Sequence, residues 1–296
     1  MKHNRSQPVS NPQHGLSLIL PAYNEEDNII PVLEEALSEL GKLEPLIQHV
    51  AEAIAVSISS SWVPPPTPFG GAVTSLPHPL DQQIPEPTPP QPPAPDLPPW
   101  EIIVVDDGSQ DQTAERARSM AQRYPDRVHC ISHEINLGYG CALRHGLGAA
   151  RFNLVFYTDS DGQFSIGDIR YFLPHILEHD LVVGFRVYRF DPLLRLFLSW
   201  GYNRLVRLLF RVRVRDVDCS FKLMRREVLD SINLETSDFF IDTELVARAR
   251  RWNFRIMEKG VKHYPRRAGE SSLRPSHIPR TLSTVFRMWW RIHRKG

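Results

Sequence analysis

The sequence is poor in several features that would each have pointed to a function class. It has only three cysteines in 296 residues, Cys130, Cys141 and Cys219. The number is odd and no pair has metal-ligand spacing, so a disulfide framework and a Cys/His metal cluster are excluded and a reduced, intracellular compartment is expected. No run of 18 apolar residues occurs, so no transmembrane helix is predicted. The opening residues Met1 to Pro8 are polar and show no apolar signal-peptide core. There is no Gly-x-x-x-x-Gly-Lys-[Ser/Thr] phosphate loop and no Gly-x-Ser-x-Gly elbow, and Gly138-Tyr139-Gly140 is too short for the dinucleotide fingerprint. A net charge of +1 gives no global field for nucleic acid, and no nucleic-acid partner is expected.

What is present is a core and an unusual distribution of proline and charge. Apolar residues make up 42% and charged residues 23%, as suits a globular protein. Fifteen of the 26 prolines fall between Pro64 and Pro99. Such a stretch lacks ladder donors and buries little surface, so residues 62–99 are read as a disordered or polyproline II insertion in a surface connection. A plain spacer is favoured there over a ligand for a signalling domain. Between Arg186 and Arg226 basic residues far outnumber acidic ones, which points to an anionic partner in that region.

Around the insertion, apolar strands alternate with amphipathic helices, the signature of a mostly parallel α/β sheet with right-handed crossovers. Residues 1–14 are expected to be loose. Strands are predicted at 16–20, 101–105, 128–131, 154–158 and 181–184. Helices are predicted from about Ile29 to Leu40, with an extra one over 43–58, and at 113–123, 141–150, 168–179, 193–210 and 239–251. Residues 276–296 form a separate amphipathic segment. In it Phe286, Trp289 and Trp290 lie on one side, with Arg287, Arg291 and Arg294 on the other.

Two acidic strand tips carry the chemistry. Glu101-Ile-Ile-Val-Val-Asp106-Asp107-Gly108-Ser109 and Leu154-Val-Phe-Tyr-Thr-Asp159-Ser160-Asp161-Gly162-Gln163 each run from apolar residues into carboxylates. In open α/β sheets, ligands sit beyond the carboxyl ends of the strands. Alternate side chains of an extended chain point the same way, so Asp159, Asp161 and the Gln163 amide oxygen can converge on one hard cation, which in turn holds a diphosphate. Asp106 and Asp107 fit two readings, acceptors for a base N–H or plain turn residues. Pro21-Ala22-Tyr23-Asn24-Glu25-Glu26 fits either a base and ribose pocket or a helix start with its first-turn acids.

Taken together these segments resemble family 2 glycosyltransferases, which have a GT-A (Rossmann-like) fold. The resemblance covers residues 16–61 and 100–275. Its narrower match, through Gly184-Phe-Arg186, Asp218-Cys-Ser-Phe-Lys222-Leu and Arg266-Arg-Ala-Gly-Glu-Ser271-Ser, is to polyprenyl-phosphate sugar synthases of the dolichyl-phosphate mannose synthase type. The resemblance implies Mg²⁺ or Mn²⁺ on Asp159, Asp161 and Gln163. It implies a nucleotide-sugar pocket of Pro21, Tyr23, Glu25, Asp106 and Asp107, completed by Lys222 and Arg266 at the diphosphate. It also implies that Arg186, Lys222, Arg266 and Ser271 face the acceptor phosphate. Asp242 and Glu244 fall where related enzymes keep a base, and Asp242 fits a helix N-cap equally well.

The implied reaction moves a hexose, from GDP-mannose or UDP-glucose, to a polyprenyl phosphate with inversion. A saccharide or other non-lipid acceptor, or a non-catalytic nucleotide-sugar-binding scaffold, are the alternatives. Two positions depart from the family pattern. Ser272 stands where a lysine is usual, and Tyr139 where many relatives carry lysine. Without membrane helices, the chain is expected to work as a peripheral protein at the cytoplasmic face of a membrane, or with a membrane-anchored partner subunit.

Overall fold

The structure, a computed structural model, describes residues 13–61, 99–187, 193–266 and 285–290. The proline-rich stretch 62–98, Ser271 and most of the segment 276–296 lie outside the described residues. Seven strands form one sheet in the order β3-β2-β1-β4-β6-β5-β7. They are β1 (Gln13–Ala22), β2 (Trp100–Asp106), β3 (Val128–Ser132), β4 (Phe152–Tyr157), β5 (Leu181–Arg186), β6 (Lys222–Arg225) and β7 (Ile256–Val261). β1 pairs in parallel with β2 on one side and with β4 on the other, and the order reverses at that point. β6 alone runs antiparallel, wedged between β4 and β5. The sheet is therefore mixed and mostly parallel, as expected, but β6 and β7 were not foreseen.

Helices cover both faces, and the alternation of side chains along each strand decides what they meet. Leu16, Leu18 and Leu20 of β1 enter one core, with α1 (Glu26–Ser61) and α2 (Thr113–Arg123). Ile19 enters the other, which holds α3 (Tyr139–Ala149), α4 (Leu193–Phe210) and α6 (Ile241–Arg251). The short α5 (Arg226–Ser231) adds Val228 to that second core. Gly146 lets α3 lie close on the sheet, because a Cβ there would stand 2.2 Å from Ile19 Cγ2.

Three boundaries differ from the sequence reading. The first helix and the extra helix over 43–58 are one 36-residue helix, α1, with Pro31 and Pro45 inside it. Each proline removes one rung. The buried stripe continues across Pro45, from Ile29, Leu33, Ala36 and Leu40 to Ile47, Ala51 and Ile54, and packing overrides the local penalty. The helix expected over 168–179 is instead two 3₁₀ segments, Ile166–Tyr171 and Leu173–Leu177. The buried Ile166, Ile169, Phe172 and Ile176 recur every three or four residues, and Pro174 opens the second segment. Residues 285–290 are helical, with Val285 and Met288 buried in the second core and Trp289 packed against it. Their apolar side therefore faces partly inward, and of the expected outer stripe only Phe286 and Trp290 are exposed.

Candidate active site

The C-terminal tips of β1, β2 and β4 lie side by side, with Ala22 paired to Asp106 and Ile19 to Tyr157. The chain beyond them builds the site. Asp159 and Asp161 follow β4, and Ser160 between them anchors the turn through its hydroxyl to the Pro21 carbonyl at 2.7 Å. Asp161 accepts the Gln163 backbone N–H at 3.0 Å, while Gly162 takes the left-handed conformation that the turn demands. The Asp159 carboxylate is held from two sides. Tyr139 at the start of α3 donates its hydroxyl at 3.1 Å, and Ser220 just before β6 donates at 2.6 Å. Each carboxylate oxygen keeps a second lone pair.

The two acids strain against each other. Burial pushes the Asp161 carboxyl up to about 7, the Asp159 charge adds to the effect and Glu25 adds a little more. The Gln163 N–H and Arg266 pull the other way. Asp159 is also raised, by burial first and then by the charge of Asp242, against hydrogen bonds from Ser220 and Tyr139. A pair of hard oxygen ligands that resist ionisation together suits a divalent cation, whose charge would relieve both. Asp159 and Asp161 therefore fit the expected metal, with the Gln163 amide on the same turn. Among the described residues no three His, Cys, Asp or Glu side chains converge as a complete cage, so the remaining ligands would come from the amide, the diphosphate and water.

Other expected site residues gather at the same edge. Glu25 pairs with Arg266 and accepts the Asn28 side-chain N–H at 2.7 Å. Glu25 and Arg266 both act on the Asp161 charge, so they stand beside it. Tyr23 is exposed at the tip of β1. Asp106 is buried and accepts the Ser109 N–H. Asp107, expected to line the nucleoside pocket, is buried too. Its carboxylate accepts the backbone N–H groups of Leu137 at 2.9 Å and Gly138 at 2.8 Å and lies 2.7 Å from His133 Nδ1. It builds the glycine-rich turn rather than facing open space.

Three expectations need correction. Lys222 is fully buried, and its ammonium meets Asp242 and the Cys219 carbonyl, so it does not face a phosphate here. Asp242 is not a helix N-cap. Phe240 occupies that place, and Asp242 sits in the first turn of α6 with its carboxylate on Lys222 and the Tyr157 hydroxyl at 2.7 Å. Arg186 ends β5, and Asp216 takes its guanidinium in a two-pronged pair at 2.6 and 2.7 Å. The cause is the same in each case. A charge removed from water needs a partner, and the fold supplies one at closer range than a ligand would.

Glu244, which the resemblance set beside Asp242 as a place for a base, and residues that the sequence did not disclose complete the frame. Glu244, on α6 near Asp242, is buried and accepts the N–H groups of Glu235 and Thr236, with Arg248 beside it. It thereby fixes the 235–238 loop, whose Ser237 carbonyl accepts the Gly140 N–H at 3.0 Å. Gly140 has no room for a side chain, since a Cβ would stand 2.5 Å from the Thr236 carbonyl oxygen. Phe239, on the same segment, stacks on Tyr139 at 5.3 Å. The glycine spacing was a signal for this close approach; the pairing of Ser220 with Asp159 had none.

Comparison with known proteins agrees with this geometry. Residues 91–232 match the family described as Glycosyl transferase family 2. A polyprenol monophosphomannose synthase of Mycolicibacterium smegmatis is 31% identical over 196 residues, 62% of this chain and 74% of that protein. A dolichyl-phosphate beta-glucosyltransferase of Trichomonas vaginalis is 27% identical over 259 residues, 83% of this chain and 65% of that one. The chain spans between 32% and 65% of the length of three of the relatives it matches, the Trichomonas protein among them. Among solved structures, glucosyl-3-phosphoglycerate synthase from Mycobacterium tuberculosis, in complex with Mn²⁺, UDP and glucosyl-3-phosphoglycerate, superposes with a TM-score of 0.54 at 18% identity, over 98% of this chain and 86% of that one. With acidic strand tips at the switch point of a mostly parallel sheet, a GT-A fold and these relatives, the chain belongs to glycosyltransferase family 2.

Proposed function

We propose that this protein is a metal-dependent, inverting glycosyltransferase that moves a hexose from a nucleotide sugar to a polyprenyl phosphate. The observation that carries the reading is the Asp159/Asp161 pair, two adjacent carboxyls at the tip of β4 with Asp161 raised to about 7. Such a pair is costly unless a cation shares it. The lipid-phosphate acceptors in the relatives' names support the acceptor class. The M. tuberculosis structures hold UDP with Mn²⁺ or Mg²⁺, which supports the donor class and the metal.

In this reading Asp159, Asp161 and Gln163 hold Mg²⁺ or Mn²⁺, which when bound neutralises the leaving nucleoside diphosphate. Tyr139 and Ser220 keep the Asp159 carboxylate in place. Tyr23, with the Pro21 backbone beneath it, borders the nucleoside, and Glu25 steers Arg266 toward the diphosphate edge. Asp106 and Asp107 shape that pocket from behind. Ser271 would approach with the acceptor. Arg186 and Lys222 act as positioning residues through Asp216 and Asp242. A phosphate monoester has a second pKa of about 6, so the acceptor arrives largely ionised and needs no strong base. The pairing of Asp242 with Lys222 agrees with that economy of means.

A polyprenyl phosphate stays in the bilayer, so the domain must reach it, as a peripheral protein at the cytoplasmic face or beside a membrane-anchored subunit. No helix among the described residues is long and apolar enough to cross a membrane. The outer side of α4 offers a contact surface. Trp200, Arg204, Arg207 and Leu208 are exposed at spacings of one helical face, with exposed Arg211 just beyond the helix end, while Tyr202 and Asn203 turn inward. Exposed Phe286, Arg287 and Trp290 repeat that mixture of aromatic and cation. Incubation of the purified protein with radiolabelled GDP-mannose or UDP-glucose and a polyprenyl phosphate, with and without chelator, tests the proposal. Cation-dependent label in the lipid fraction supports it, and label moved only to a water-soluble acceptor would replace it.

A further inference from the structure

Behind the turn that carries Tyr139 lies a chain of polar contacts that the reaction itself does not require. His133, just past β3, has its Nδ1 2.7 Å from Asp107 and its Nε2 2.6 Å from Nδ1 of His145 on α3. The two rings meet edge to face at 4.7 Å. The protonation pattern follows from the partners. Asp107 already accepts two backbone N–H groups, from Leu137 and Gly138, and so acts as a carboxylate. His133 Nδ1 is placed to donate to Asp107, and its Nε2 shares a hydrogen bond with His145 Nδ1. His145 thereby fixes the ring of His133, and His133 fixes the orientation of Asp107.

The turn has little freedom of its own. Gly138 sits at φ 98°, in a left-handed conformation that other residues rarely adopt. The next residue, Tyr139, reaches Asp159 with its hydroxyl. We infer that His133 is a positioning residue for the site: through Asp107 it sets the Leu137–Gly138 turn, and the turn seats Tyr139 on Asp159. The contacts are continuous from His145 to Asp159, and no exposed group interrupts them. The inference rests on the reading of Asp159 as a metal carboxylate.

Two measurements test it, the first of them independent of that reading. Hydrogen exchange at the Leu137 and Gly138 amides reports the turn directly, without metal or substrate. His133→Leu should raise exchange at both amides at least tenfold. His133→Asn, whose side-chain N–H can still reach Asp107, should restore most of the protection. The second measurement is Mn²⁺ affinity in the presence of UDP or GDP, in a cycle of His133→Leu, Tyr139→Phe and the double variant. Each single change should weaken binding several-fold, and the double variant should be no weaker than the worse single by more than about twofold, because both act through one contact. Unchanged exchange in His133→Leu, or losses that multiply in the cycle, would overturn the inference. If the wild type binds no Mn²⁺, the metal reading fails, while the exchange measurement still decides whether His133 sets the turn. If His133→Leu does not fold, His145→Leu takes its place, with partial loss of protection expected and unchanged protection counting against the relay.

Discussion

Replacing Asp242 by Asn should damage stability before it damages chemistry. The Lys222 side chain has no exposed surface, and that of Asp242 is 5% exposed. The ammonium also meets the Cys219 carbonyl at 2.5 Å and the Tyr157 ring face at 5.3 Å, and its charge acts on Asp159 and Asp218 from further away. Asn keeps the shape but removes the one carboxylate in direct contact, so a buried cation loses its ion-pair partner. Breaking a buried pair from one side costs about 3–5 kcal/mol, whereas replacing both members by apolar groups of similar volume is often close to neutral. For a chain of this size each kcal/mol moves the melting temperature by about 2–4 °C. Asp242→Asn should therefore melt about 10 °C lower, and Lys222→Met with Asp242→Asn should recover most of the loss. Calorimetry or circular dichroism on the three proteins reads this directly. A melting temperature for Asp242→Asn within about 2 °C of wild type would refute the argument, and Asp242 would then be free to serve as a base.

Three further outcomes follow from the same geometry. Asp161 is raised to about 7, so folding favours its protonated form. The penalty for ionising it in the folded chain appears as pH climbs from about 4 and is complete above about 7, with an upper bound of about 4 kcal/mol that contact with water reduces. Metal-free protein should accordingly lose melting temperature over that window, Mn²⁺ should restore it at pH 7.5 and not at pH 5, and Asp161→Asn should reduce the loss, since Asp159 and Asp218 are raised as well, and abolish the rescue. Deleting residues 64–97 should leave stability and turnover nearly unchanged, because loop closure varies by only about 0.6 kcal/mol per doubling of length. The stretch also leads into the start of β2, at the pole away from the strand tips; a large fall in melting temperature would show that it packs on the domain. Sedimentation with anionic liposomes should be salt-sensitive and weakened by truncation after Pro279 and by Trp200→Ser with Leu208→Ser, and equal sedimentation of all forms would assign these surfaces another partner.

The parts legible in the sequence were those that a local pattern encodes. The apolar runs ending at Asp106 and Asp159 announced buried parallel strands and the edge where the site lies. The Asp159-Ser-Asp161-Gly-Gln163 spacing announced the acidic turn. The parts that were not legible depend on pairings at long range. Lys222 and Asp242 meet only because β6 inserts antiparallel beside β4, so a lysine that looked like a phosphate ligand is a buried counter-ion. Asp107 looked like a base acceptor because its turn partners, Leu137 and Gly138, come from a different loop. The two helices read over 29–40 and 43–58 are one, because the core beneath α1 holds it together across Pro45. His133 and His145 carry no motif at all; twelve residues apart, they are joined by the packing of α3 against β1 and β2, which brings His145 beside the end of β3.

The central claim is most directly tested by single-turnover transfer from a nucleotide sugar to a polyprenyl phosphate in wild type, Asp159→Asn and Asp161→Asn. The melting temperature of each protein is measured beside its activity. The account predicts cation-dependent transfer in the wild type, loss of transfer in both variants, and folded proteins throughout. Near-native turnover by either variant with Mg²⁺ or Mn²⁺ present would contradict it.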